Sequence, residues 1–294
     1  MRWRKVTLIG VGLLGGSLGL ALKRRRLATR VTGFVRRAAS VKECLAARAV
    51  DEATLNLQQA VSGADLIVLC TPIAQMTPLA RRFSPCLKRG AIVTDVGSVK
   101  AGVVRQLEKI VSRAGGHFIG SHPMAGAEKM GVSAASPVLF ENAVCAVTPT
   151  AKSHRGALKA VEGLWQSVGA RVVRLKPGVH DAVVARTSHL PHLLAATLAA
   201  HVLDPRHADN NAMLCATGFR DTTRIASGSP EMWRDIVIEN RAHLRRELTA
   251  MARQIESLRR LLRAGDAAAI QEFLATAKQR RDQWCMCSAS SSPE

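Results

Sequence analysis

At 294 residues and 47% hydrophobic content, the chain can bury more than one core, and its ordinary composition excludes large-scale disorder. A formal net charge of +20 invites a nucleic-acid reading, but the basic residues are spread along the chain, aromatic residues make up only 3%, tyrosine is absent, and no helix-turn-helix, zinc-finger or RNA-binding signature appears. The charge therefore points to attraction of small anions rather than to specific nucleic-acid binding, and no apolar run reaches the roughly 18 residues of a membrane-spanning helix.

Along the first half, short apolar runs alternate with helical patterns. Lys5–Val11 leads straight into glycines; it is too short for a signal-peptide core and reads as a first strand. There follow a helix over Leu14–Leu27, a strand over Arg30–Val35, a helix over Ala38–Ala49 and a strand over Asp65–Cys70. Pro72, Pro78 and Pro85 punctuate the next segment. Strand Ala91–Val96, helix Val99–Ala114, strands His117–Gly120 and Ala143–Thr148, helix Ser153–Val168 and strand Arg171–Leu175 complete the half. This alternation predicts an α/β fold with a mostly parallel, doubly wound sheet.

After Lys176-Pro177-Gly178 the strand-like runs stop. Val179–Leu203, interrupted by Pro191, reads as one long helix. Glu231–Arg263 reads as another, with Leu244, Leu248, Met251, Ile255 and Leu258 at helical spacing, and Ala267–Trp284 adds a third. The expected division is a sheet domain over 1–176, an all-helical domain over 177–287 and a frayed tail over 288–294. Long apolar helices need a cover, and a second copy of the chain is the expected one. Seven scattered cysteines, several inside apolar runs, fit reduced thiols in a cytoplasmic protein. Cys285-Met286-Cys287 has no further Cys or His nearby, so no metal site is expected.

Val6 to Gly15 reads V-T-L-I-G-V-G-L-L-G. Gly10, Gly12 and Gly15 form G-x-G-x-x-G between a predicted strand and a predicted helix, the context that gives this otherwise weak pattern its meaning. Gly10 permits a tight turn, Gly12 lets backbone approach a pyrophosphate, Gly15 lets helix and strand pack closely, and the helix N-terminus offers unpaired N–H groups to phosphate. These features predict an N-terminal Rossmann domain that binds a nicotinamide dinucleotide. Leu13 and Leu14 in the turn, and Thr71 and Pro72 beyond strand Asp65–Cys70, belong to the expected cofactor wall. NAD sites usually carry an acidic residue for the ribose hydroxyls at the end of the second strand. Here Val35 stands in that place, followed by Arg36 and Arg37, two cations that could hold a 2′-phosphate. NADP is the expected cofactor, with NAD as the alternative.

Four further segments carry chemistry: Thr94-Asp95-Val96-Gly97-Ser98-Val99-Lys100; Gly120-Ser121-His122-Pro123-Met124-Ala125-Gly126-Ala127-Glu128-Lys129-Met130-Gly131; Ser188-His189-Leu190-Pro191-His192; and Gly218-Phe219-Arg220-Asp221-Thr222-Thr223-Arg224-Ile225-Ala226, followed by Pro230-Glu231-Met232-Trp233. In this order they resemble the prephenate/arogenate dehydrogenase family, from about Val6 to about Asn240. The resemblance implies a Rossmann domain followed by a helical dimerisation domain, and a homodimer. It also implies NAD(P)-dependent oxidative decarboxylation of a cyclohexadiene acid in tyrosine biosynthesis. Prephenate is the expected substrate, with arogenate, or both, as the alternative; Thr223 to Ala226 with Met232 and Trp233 is more similar to the prephenate-using and dual-use members.

By the same resemblance, His122 accepts the proton of the ring hydroxyl, and Ser98 contacts that His and the nicotinamide region. Ser98 also reads as a cap for the helix expected from Val99. Arg224 grips a substrate carboxylate, for which a planar guanidinium is suited. Ser188 and His192, one helical turn apart, are expected on one pocket-lining face. Glu128, Asp221 and Trp233 match pocket positions, and Lys129 and Arg220 are additional candidate cations.

Overall fold

The computed structural model describes residues 2–126, 130–206 and 208–289. Eight strands form one sheet in the order β3-β2-β1-β4-β5-β6-β7-β8: β1 Trp3–Ile9, β2 Ala28–Phe34, β3 Glu52–Thr54, β4 Leu66–Leu69, β5 Ile92–Asp95, β6 His117–Pro123, β7 Val144–Thr148 and β8 Arg171–Arg174. All neighbours are parallel except β6 and β7. Strand side chains alternate between faces, and both faces are covered, so the central strands are apolar throughout. In β4, Leu66 and Val68 enter the core on one face and Ile67 and Leu69 the core on the other, and all four are fully buried.

Helices α1 Leu13–Arg24, α2 Ala38–Ala46, α3 Leu57–Val61, α4 Ile73–Phe83, α5 Ala101–Arg113 and α6 Arg155–Ser167 link the strands. Leu18 and Leu22 of α1 and Trp165 of α6 fill one core. Met76 and Phe83 of α4 and Leu107 of α5 fill the other. The sequence reading missed β3, a three-residue edge strand with no apolar run. It also ended β6 at Gly120. The strand continues because its second half pairs antiparallel with β7, placing His122 opposite Ala146.

The expected helix over 179–203 is divided. Helix α7 Pro177–Val184 passes into a π-helical turn, Ala185–His189, and then into α8 Leu190–Val202, with Pro191 in the first turn of α8, directly after the π turn where the hydrogen-bond register changes. Helices α9 Ala208–Leu214 and α10 Thr217–Thr223, a 3-10 turn Arg224–Ser227, and α11 Pro230–Glu239 follow. The expected helix over 231–263 breaks at Asn240, between α11 and α12 Arg241–Ala264. The side-chain amide of buried Asn240 donates to the Asp181 carbonyl at 2.9 Å. Ile236 of α11 joins the core built by α4 and α5.

The chain resolves into two compact units that divide between Arg241 and Ala242. The second unit carries α12 and α13 Ala267–Ala289, joined at Gly265 with φ +65°. Ser288 and Ala289, read from sequence as tail, continue α13. Leu248, Ile255 and Leu262, seven residues apart on α12, are exposed. Among the described residues no helix is long and apolar enough to cross a membrane.

Candidate active site

Parallel strands β1, β2, β4, β5 and β6 direct their carboxyl ends to one edge of the sheet, where ligands gather in open α/β folds. At that edge the chain leaves β1 through Gly10, at φ +94°. A Cβ on Gly10 would stand 2.8 Å from the Cys70 carbonyl oxygen, and one on Gly15 would stand 2.0 Å from the Gly10 carbonyl oxygen. Only glycine permits this turn and this seating of α1 on β1. A Cβ on Gly12 would meet nothing within 4 Å, so this residue faces open space.

That space is a groove of about 510 Å³. Gly10, Gly12, Thr71, Arg36 and Arg37 line it, together with Val11, Val35, Ser40, Glu43, Gln75, Gly131 and Val132, which sequence reasoning did not assign to the cofactor. Leu13, Leu14, Gly15, Pro72 and Ser98 are not among the lining residues. Gly15 acts from beneath, by allowing the turn to close. Glu43 of α2 also lines the groove, a carboxylate that the sequence reading did not set against Arg36 and Arg37. A dinucleotide fits the residues present. The first turn of α1 carries no acid to oppose phosphate, and the Thr71 hydroxyl is buried with no hydrogen-bond partner among the described residues. A wider groove of about 870 Å³, lined by Arg81, Arg105, Lys109 and Arg113, shares no residue with this one.

At the end of β5 sits a fully buried ion pair that the sequence reading did not single out. Lys100 and Asp95 are both 0% exposed. The Lys100 ammonium donates to the Asp95 carboxylate and, at 2.9 Å, to the Ser121 carbonyl. Asp95 also accepts the backbone N–H of Gly97 at 2.9 Å and of Ser121 at 3.1 Å. The pair thus ties the β5 turn to the residue that precedes His122. Removing one partner of a buried pair strands the other charge. Lys100→Met should therefore lower unfolding stability by about 3–5 kcal/mol, read as a fall in the urea midpoint at unchanged slope.

Ser98 does not cap α5. The helix starts at Ala101, and its first amides are capped from a distant segment: the Asp181 carboxylate accepts Lys100 N–H at 2.7 Å and Ala101 N–H at 2.8 Å. His180, beside Asp181 at the centre of α7, is fully buried. Its Nδ1 lies 2.8 Å from Asp181 Oδ1 and its Nε2 2.9 Å from His122 Nδ1. Burial, then the neighbouring His180, Lys100 and His189, hold the His122 imidazole well below its ordinary pKa, so the ring is neutral near pH 7.

A second aromatic group lies along the π turn and α8. His192 stacks on Trp233 with centroids 3.4 Å apart and planes 10° from parallel, and His189 meets the same indole edge-on at 6.0 Å. A Cβ on Gly228 would lie 2.5 Å from the indole nitrogen, so glycine there lets Trp233 reach His192. His189 Nδ1 lies 3.1 Å from the Asn240 amide nitrogen, and burial pushes the His189 pKa down to about 4. Nδ1 of His192 is buried with no partner among the described residues. The expected shared face of Ser188 and His192 is not formed. The π turn adds a residue to the helical repeat, so His189 and His192 are buried while Ser188 is exposed.

Arg224 opens the 3-10 turn that packs along α8, the helix bearing His192. Arg224, Arg220 and Asp221 are exposed. Glu128 and Lys129 lie outside the described residues. The six cysteines described in full, Cys44, Cys70, Cys86, Cys145, Cys215 and Cys285, are free thiols.

The buried polar residues around His122 to which sequence reasoning gave no role are Asp95, Lys100, His180, Asp181 and Asn240. A local signal for the first two was a Lys five positions beyond an Asp at a strand end. Asp181 and Lys100 stand 81 positions apart, and no sequence periodicity joins them.

Two family models match the chain: prephenate dehydrogenase, nucleotide-binding domain, over residues 18–174, and prephenate dehydrogenase, dimerization domain, over residues 176–276. The prephenate dehydrogenase of Bacillus subtilis is 34% identical over 94% of this chain and 75% of its own length. The cyclohexadienyl dehydrogenase of Zymomonas mobilis is 30% identical over 95% of each. A solved prephenate dehydrogenase from A. aeolicus, in complex with hydroxyphenyl propionate and NAD+, superposes with a TM-score of 0.90 at 30% identity, covering 96% of this chain and 99% of that one. With the two models matched over residues 18–174 and over the helices that carry His180, His192 and Trp233, the chain belongs to the prephenate dehydrogenase family of NAD(P)-dependent oxidoreductases.

Proposed function

We propose that the chain oxidises and decarboxylates prephenate to 4-hydroxyphenylpyruvate, in the cytoplasm and as a homodimer. One observation carries the reading. His122, near the carboxyl end of β6, stands at the same sheet edge as the dinucleotide groove built from the ends of β1, β2 and β4. That edge pairs a hydride-acceptor site with a neutral imidazole. A bound dinucleotide supplies the acceptor for hydride from the ring carbon that bears the hydroxyl. His122 takes the hydroxyl proton as that carbon becomes a carbonyl. The ring carboxylate then leaves as carbon dioxide, its bonding electrons aromatise the ring, and His122 returns the proton to the phenolate oxygen. Arg224 holds a substrate carboxylate, and His192, stacked on Trp233 with Nδ1 unpartnered among the described residues, is assigned to the same pocket by resemblance. Ser98, Ser188, Glu128 and Asp221 stay assigned to the site by resemblance.

NADP is the proposed cofactor. Arg36 and Arg37 place two cations at the groove end against the one carboxylate of Glu43, and Val35 is buried where an NAD-type acid would stand. The functional division is placed at 176/177, with the exposed stripe Leu248, Ile255 and Leu262 as part of the dimer contact. Trapped carbon dioxide tests the chemistry: with prephenate and NADP+, it should be released mole for mole with the NADPH formed. Reduction of the dinucleotide without carbon dioxide would refute decarboxylation.

A further inference from the structure

His122 poses a physical problem that the residues around it answer. Protonating a ring buried beside the Lys100 ammonium is costly. The groups facing it are His180 and Asp181 from α7, Lys100 and Asp95 from the β5 turn, His189 from the π turn and the Cys145 thiol from β7. A bare imidazole in that setting is a poor proton acceptor, and a neutral one has two tautomers, of which only one leaves the substrate-side nitrogen free.

We infer that His180 and Asp181 form a positioning relay that fixes His122 in the tautomer with a lone pair on Nε2 and supports the charge it gains on taking the substrate proton. The inference rests on His122 being the proton acceptor. The hydrogen-bond bookkeeping runs in one direction. Asp181 ionised is an acceptor only, so the proton 2.8 Å away belongs to His180 Nδ1. With a single proton, the His180 ring carries it on Nδ1, facing a carboxylate that also accepts two backbone N–H groups at the start of α5. Its Nε2 then carries a lone pair and accepts from His122 Nδ1–H at 2.9 Å. That leaves Nε2 of His122 unprotonated. When Nε2 takes a proton, the ring keeps its Nδ1–H bond to His180, and the Asp181 carboxylate beyond stabilises the imidazolium. The α5 amides hold Asp181 in place, and Asn240 holds its backbone carbonyl, so the relay is rigid.

An orienting carboxylate behind a catalytic His governs rate rather than binding, as in serine proteases. In the full-length enzyme, Asp181→Asn removes the counter-charge behind His180 and, where its amide N–H turns toward the ring, favours the opposite tautomer in both rings; it should cut kcat with prephenate by about 100-fold or more. The KM for prephenate should stay within about threefold, and the acid limb of the kcat/KM profile should move to lower pH because the imidazolium has lost its counter-charge. His180→Gln keeps an acceptor for His122 Nδ1 and should retain most of the rate, whereas His180→Phe should lose as much as Asp181→Asn. Should Asp181→Asn fail to fold, because it also caps α5, the Gln and Phe pair at 180 decides alone. Equal rates in that pair, or an unmoved acid limb in Asp181→Asn, would overturn the relay. His122→Asn, assayed alongside, separates this from the functional reading: full activity there refutes the acceptor itself, while its loss beside wild-type rates in the Asp181 and His180 variants refutes only the relay.

Discussion

His122→Asn should lower kcat for prephenate by about 10²–10⁴-fold, the range a positioned general base supplies. Asparagine matches the imidazole in size and can hydrogen-bond, but its amide cannot take up a proton at neutral pH. Dinucleotide affinity should be unchanged, because His122 is not among the residues that line the glycine-loop groove. Direct titration of NADPH fluorescence checks this independently of turnover. The wild-type enzyme adds a pH signature. Burial, then His180, Lys100 and His189, lower the His122 pKa well beneath 6.5. A depressed pKa means that the proton-accepting form is populated throughout the neutral range, so kcat/KM should fall only as pH drops below 6.5. In the Asn variant that acid limb should disappear. Wild-type turnover in His122→Asn would remove the residue from the mechanism.

Arg224→Ala should act on binding. A guanidinium facing a carboxylate forms two charge-assisted hydrogen bonds, which contribute about 1.5–3 kcal/mol, or roughly 10–150-fold, to the KM for prephenate. The change in kcat should be smaller, since the ring carboxylate is bound before and during hydride transfer. Arg224→Lys should recover little, because a point charge cannot reproduce the planar two-pronged grip. An unchanged KM in Arg224→Ala would take this residue out of the carboxylate role. Arg224 is exposed on a 3-10 turn that packs on α8, so truncating its side chain should leave the His192–Trp233 stack intact. Retained indole fluorescence is the check.

The parts of this molecule that were legible in the sequence are those written in local periodicity or in glycine spacing. Strands β1, β4 and β5 are short runs buried on both faces, and the turn through Gly10 and Gly12 joins β1 to α1, with Gly15 in the first turn of that helix, as the spacing required. Elements set by long-range partners were not legible. Edge strand β3, Glu-Ala-Thr, exists because β2 offers it a parallel ladder, and β6 reaches His122 because β7 pairs with it. Ser98 looked like a helix cap, but the capping oxygens came from Asp181, 81 positions away. Ser188 and His192 looked like a pair at regular helical spacing, which the π turn at 185–189 breaks by bringing His189 inward instead. Lys100 carried no role in the sequence reading, and it is fully buried because Asp95 and the Ser121 carbonyl satisfy it. The site is a set of polar contacts between strand ends and α7, α8 and α11, and only folding brings them together.

An initial-rate comparison of prephenate and arogenate, each with NADP+ and with NAD+, bears most directly on the claim that this sheet edge removes hydride and carbon dioxide from a cyclohexadiene acid. The account predicts the highest kcat/KM for prephenate with NADP+, and 4-hydroxyphenylpyruvate as the product. Saturable dinucleotide binding with no reduction of either dinucleotide by either acid would contradict it.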